Sequence, residues 1–132
     1  MALLRPGMRV INRTPWYGDA EVRRIVASNF RGEPGRPVTI IVSGRTLPSD
    51  TREGFTPFDR RLPVELWVEP PYRYPEPGAR SWREELALSA AHESWHWHHP
   101  DRACPDGICE RRAERYAHAE YRRLQRRRRR AA

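Results

Sequence analysis

Residues 81 to 98, SWREELALSAAHESWHWH, combine a helix-start signal with a cluster of metal-ligand chemistry. Ser81-Trp82-Arg83-Glu84 matches a capping box, in which the Ser81 hydroxyl accepts from the Glu84 amide and the Glu84 side chain reaches back. The helix so started is expected to run to about His98. His99 precedes Pro100, whose ring pushes its neighbour out of the helical region. Four of the five histidines lie between positions 92 and 99. His92 and His96 stand four residues apart, on one helix face, where both imidazoles can reach a single ion. With five histidines in the chain, an H-E-x-x-H spacing arises by chance about two times in a hundred.

Two histidines leave a tetrahedral zinc under-ligated, and a catalytic site needs a third protein ligand beside a position for water. Past a short loop, Asp106 offers an N-cap, and Ile108, Ala113, Ala117, Tyr121 and Leu124 form an apolar stripe among charges. This predicts a second long helix over about 107 to 126. Glu110 and Glu114 stand on it one turn apart. Glu110 is the expected third ligand of one Zn2+, because the small Ala113 lets the two helices approach. Glu114 can then accept the second ring N–H of His92 or His96, which fixes the tautomer and raises ligand basicity.

The rest of the chain supplies a frame. Ala20, Val22, Ile25, Val26 and Phe30 recur at helical spacing and predict a first helix from Gly18 to Phe30. PVTIIVSG, residues 37 to 44, is β-branched and bounded by Pro and Gly. LPVELWVEPP, residues 62 to 71, alternates Val64, Leu66 and Val68 with Glu65, Trp67 and Glu69, and the prolines after it suit an edge strand. Between them RTLPSDTREGFTPFDRR reads as a long loop, either a hairpin excursion or a lid over a cleft. Helix, strands, helix, helix is the order of an α+β domain.

With 132 residues, one core is expected, over residues 1 to 125, followed by a basic tail at 126 to 132 that runs into disorder. The formal charge is +8, but Arg126 to Arg130 carry five of it: 25 − 5 = 20 arginines against 17 acids leaves +3 for the body. All 25 basic residues are arginine, which fits a GC-rich genome or a hot habitat as well as phosphate recognition, so composition alone does not make a nucleic-acid binder. No apolar run approaches a membrane span and MALLRPG is no signal sequence, so the expectation is a soluble, cytoplasmic chain.

His92-Glu93-x-x-His96 followed by Glu110-x-x-Ala113-Glu114 resembles the gluzincin pattern of zinc metallopeptidases. The run E-R-R-A-E-R-Y-A, residues 110 to 117, is similar to the E-x-x-A-x-x-F-A signature of ImmA/IrrE-type peptidases, and the compact size resembles the minimal gluzincins. Together these cover about residues 64 to 124. The resemblance implies a zincin-like fold, with a small, mostly antiparallel sheet packed on an N-terminal helix, an H-E-x-x-H helix and a C-terminal glutamate-bearing helix. It further implies endopeptidase-type hydrolysis of peptide or protein substrates, with Glu93 as general base on a zinc-activated water. Residues 64 to 70 would be the edge strand that pairs with the substrate backbone.

Other residues keep two readings. Tyr116, His118, Tyr72 and Tyr74 are the candidates for stabilising a transition-state oxyanion; His118 otherwise sits on the surface. Cys104 and Cys109 either staple the loop before Glu110 as a disulfide or join His98 or His99 in a second zinc site. Solvation or helix capping is the plainer role for those two histidines. Trp82, Trp95 and Trp97 belong to packing before they belong to substrate stacking. The alternative to an enzyme is a zinc-stabilised binding module that contacts nucleic acid or an acidic protein through its arginine tail, and a third reading is an aromatic helical protein without metal.

Overall fold

The structure, a computed structural model, describes residues 7–45, 54–57, 59–71, 81–100 and 108–131. Strand β1 (Met8–Asn12) leads into helix α1 (Asp19–Asn29) and strand β2 (Val38–Gly44); β3 (Gly54–Phe55) and β4 (Val64–Val68) follow, then α2 (Trp82–His98) and α3 (Ile108–Ala131). The architecture is mixed α and β, with one small sheet and three helices among the described residues. Strand order is β1-β2-β4-β3.

The sheet is mostly parallel, not mostly antiparallel. β1 pairs parallel with β2, Val10 opposite Ile40, and β2 pairs parallel with β4, Val42 opposite Leu66; only β3 runs antiparallel, with Gly54 opposite Leu66 and Phe55 opposite Glu65. Pairing direction depends on how the connections run, and the segment between β2 and β4 is long enough for a parallel crossover, which needs a dozen or more residues. β4 accordingly lies inside the sheet, and the edge falls to β3. The expectation that 64 to 70 is the edge strand is corrected by one position in strand order.

β1 escaped the sequence reading because MRVIN is short and carries Arg9 and Asn12. Its burial nonetheless alternates, with Met8 and Val10 in the core. β4 keeps the two-faced pattern expected of it: Val64, Leu66 and Val68 are buried, while Glu65 and Trp67 are half-buried. With Ile40 and Val42 of β2 they meet Val22, Ile25, Val26 and Phe30 of α1 and Leu86, Ala87 and Ala90 of α2.

Helix α2 is the central element, packed against α1, β3, β4 and α3. Nine successive residues, Leu86 to Ser94, are buried, so this helix is enclosed on all sides rather than amphipathic. Small residues make that possible. Ala90 and Ala91 on α2 and Ala113 on α3 have no exposed surface, and Ala117 has 1%. The start is as expected: Ser81 is the N-cap and its side chain accepts from the Glu84 amide at 3.2 Å. The end is too, with His99 at φ −130°, ψ 55° as the C-cap. At its first turn Trp82 stacks on Tyr17 with centroids 3.9 Å apart, and Tyr17 donates its hydroxyl to the Glu69 carbonyl at 2.7 Å, tying the helix start to the end of β4.

α3 runs through Arg126–Arg130 to Ala131, where disorder was expected from residue 126. Arginine is a good helix former, and a charged helix end loses little by projecting into water.

Candidate metal centre

Because α2 and α3 approach through alanines, their functional side chains meet. His92 Nε2 lies 3.0 Å from Glu110 Oε2, and His96 Nε2 lies 2.8 Å from Glu110 Oε1. The two imidazole Nε2 atoms are 3.2 Å apart. One ligand atom from each of His92, His96 and Glu110 falls within a 4.8 Å cluster, the group among the described residues able to hold a metal ion. Two ring nitrogens and a carboxylate oxygen brought this close make a donor set of the kind that suits zinc. The site reaches solvent through Glu110, whose side chain is 65% exposed, whereas that of His92 is 11% exposed.

His92 is oriented from behind. Its Nδ1 sits 2.6 Å from Glu114 Oε1, so Nδ1–H donates to the carboxylate and the Nε2 lone pair points to the cluster. Burial pulls the His96 pKa down, against the pull of Glu110 and with the help of His92. A neutral imidazole is the form that can ligate a metal.

Glu93 points from the same helix toward β3, with its side chain 8% exposed. The Thr56 hydroxyl donates to its Oε1 at 2.8 Å and also lies 3.2 Å from the Glu93 carbonyl. The other oxygen, Oε2, is 3.8 Å from His92 Nε2. Burial raises the carboxyl above the usual carboxylate range. His92 and the Thr56 hydrogen bond oppose that shift, and the nearby Glu110 and Glu114 add to it. Gly54 passes directly beside it. A Cβ at residue 54 would come within 2.8 Å of Glu93 Cγ, 3.0 Å of its Oε2 and 3.0 Å of the Glu65 carbonyl, so this crossing admits glycine alone.

Thr56 and Gly54 were not singled out from sequence. They sit in a stretch without periodicity, where one glycine among Pro, Ser and Asp carries no separate signal; only the tertiary pairing of β3 on β4 brings them to Glu93.

The two oxyanion candidates on α3 each have neighbours of their own. His118 Nε2 lies 3.5 Å from Glu114 Oε2, one turn along its own helix. Tyr116 faces Ser94, Glu120, Arg31 and Arg123, and its pKa is raised first by burial. Tyr72 and Tyr74 lie outside the described residues.

His98 and His99 have their own partners. The His98 ring nitrogens face Glu33 Oε1 at 3.2 Å and the Arg31 carbonyl at 2.6 Å. His99 Nδ1 donates to the Trp95 carbonyl at 2.6 Å while its ring stacks on Trp95 at 4.0 Å, a local cap of the last turn of α2. Cys109, buried and disulfide-bonded, adjoins Glu110 in sequence; Cys104 lies outside the described residues. Trp97 is a core residue, 1% exposed, edge-on to Phe30 at 5.8 Å with the Arg60 guanidinium 4.9 Å above its ring.

No protein-family model, no curated protein and no solved structure matches the chain. Among the described residues no helix is long and apolar enough to cross a membrane.

Proposed function

We propose that this chain is a zinc-dependent metallopeptidase of the gluzincin type, with His92, His96 and Glu110 as ligands and Glu93 as general base. The observation that carries the reading is the convergence of His92 Nε2, His96 Nε2 and a Glu110 oxygen beside a buried carboxylate that is not needed as a ligand. A purely structural zinc site has no use for that carboxylate, and burying one is costly unless it is held and used.

Zinc bound there supplies a Lewis acid for the scissile carbonyl and brings the acidity of water into the neutral range. The residues of the chain do the rest. Glu93, with Oε1 engaged by Thr56, has Oε2 directed toward the ligand cluster. There it takes the proton of the attacking water and returns it to the leaving amide nitrogen. Burial raises its pKa, the direction that makes a carboxylate a better proton acceptor. Glu114 keeps the Nδ1 proton on His92. β3, as the exposed antiparallel edge beside Glu93, is the strand on which an extended peptide would add by main-chain hydrogen bonds.

Glu93→Gln is the deciding experiment. The variant should bind one zinc per chain and melt like the parent while losing cleavage of an unfolded protein substrate such as casein. If the parent binds zinc but cleaves nothing that the variant spares, the chain is a zinc-stabilised binding module. If neither binds zinc, the metal reading fails altogether.

A further inference from the structure

The C-terminal half of α3, beyond Glu120, has no part in that chemistry. Beyond Glu120 the helix carries Arg122, Arg123 and Arg126 to Arg130 and no acidic residue. Arg123 is held by Glu120 at 2.9 Å. Arg122 and Arg126 to Arg130 are exposed, and none of them has an ion-pair partner among the described residues.

Helical geometry sorts these side chains. Tyr121, Leu124, Gln125 and Arg128 form one row, at i, i+3, i+4 and i+7, which lines a cavity of about 250 Å3 against α1 and the start of α2. With about 100° between successive residues, Arg127 and Arg129 flank that row, and Arg122, Arg123, Arg126 and Arg130 lie on its far side. From Tyr121 to Ala131, arginine therefore covers an outward arc of roughly 160° with no other residue type in it.

We propose that this outward face docks on double-stranded DNA, with the helix laid along the major groove. An α-helix with its side chains is about 10–12 Å across, and the B-form major groove is about 12 Å wide. Guanidinium groups on both flanks can then meet phosphates on both walls, in the forked geometry that suits phosphate oxygens. A bilayer surface calls for an apolar face to insert, and the arc has none. The A-form major groove of duplex RNA is too deep and narrow to admit the helix. An acidic protein surface would meet one flank and leave the other in water. Contacts of this kind position without reading sequence, so the binding is non-specific.

The inference stands apart from the metal centre and is tested without it. The full chain is titrated by fluorescence anisotropy into a mixed-sequence DNA duplex of about 20 base pairs, long enough for a helix to lie in one groove. About six neutralised phosphates should cost roughly a thousandfold in affinity between about 50 and 200 mM salt. Replacing Arg126, Arg127, Arg129 and Arg130 together by glutamine, a comparable helix former, should lower the salt slope by about four and leave the melting temperature and helicity unchanged. The same four positions as lysine should restore most of the binding. No binding at the lower salt, a salt-independent affinity, or equal binding by the glutamine variant would overturn the proposal. So would tighter binding to an RNA duplex of equal length, to phosphatidylserine vesicles or to polyglutamate.

Discussion

The Thr56 hydroxyl and the Glu93 carboxylate meet at 2.8 Å across the junction of β3 and α2. One oxygen of a buried acid is thereby fixed, and the remaining one is aimed at the histidines. Thr56→Val keeps the shape and removes the donor. A hydrogen bond to a charged group contributes about 1.5–3 kcal/mol, so kcat for peptide cleavage should fall roughly tenfold to a hundredfold with KM little changed. Thr56→Ser should recover most of it. Equal kcat for valine and threonine would show that the contact does not orient the base.

Gly54→Ala tests the same junction sterically. The added methyl meets the Cγ and Oε2 of Glu93 and the carbonyl of Glu65, and forcing extra volume into a packed site costs about 1–3 kcal/mol. Differential scanning fluorimetry should register a lower melting temperature, and cleavage should drop more than stability alone accounts for. A neutral melt would mean that β3 can give way.

If the cluster holds zinc, removing the metal should loosen the α2–α3 pair, since among the described residues Glu110 is the member of the cluster that α3 contributes. At a free zinc concentration of about 100 times Kd, binding stabilises by about 2.7 kcal/mol, which for a domain of this length amounts to roughly 10 °C. Chelation with EDTA should lower the melting temperature by that order and added zinc should restore it. Glu110→Gln should blunt both effects. A melt indifferent to EDTA, with no zinc found by elemental analysis, would count against any metal.

Glu114→Gln leaves a weaker acceptor at His92 Nδ1. Loss of such a supporting carboxylate typically costs 10–100-fold in metal affinity, measurable by competition with a zinc chelator. The fold should be intact, because the Glu114 side chain is 58% exposed. Unchanged affinity would make Glu114 a bystander to the histidine tautomer.

The core can be probed away from the site at Trp97. Its indole N–H is buried without a hydrogen-bond partner among the described residues, so Trp97→Phe loses volume but also removes an unsatisfied donor. Trp97→Ala should cost about 3–5 kcal/mol and phenylalanine distinctly less, as read by denaturant unfolding. Equal losses would mean that the N–H is satisfied in solution.

What could be read from the sequence was local. Ser81, His92, His96 and Pro100 fix a start, a face and an end for α2 by contacts within a turn or two, and Ala113 and Glu114 sit at helical intervals from Glu110. Those intervals predicted which side chains could meet once the two helices packed. The direction of the strands was not local. Val64, Leu66 and Val68 alternate identically whether their neighbour runs parallel or antiparallel, so the parallel β2–β4 pairing and the short edge β3 had no signature. Thr56 and Gly54 were hidden for the same reason, being near Glu93 in space and some 40 residues away in sequence. Arg126 to Arg130 read as a solvated extension because charge alone does not say whether a helix continues beneath it.

The enclosure of α2 bears on how chains of this kind could be recognised when they have diverged. Leu86 to Ser94 fit between a sheet and two helices, and positions 87, 90, 91 and 94, all buried, carry alanine or serine. That ladder of small residues is imposed by packing and not by zinc. It is needed whether or not the histidines hold a metal, so a search for diverged relatives is better guided by the spacing of Ala87, Ala90, Ala91 and Ser94 than by the histidines.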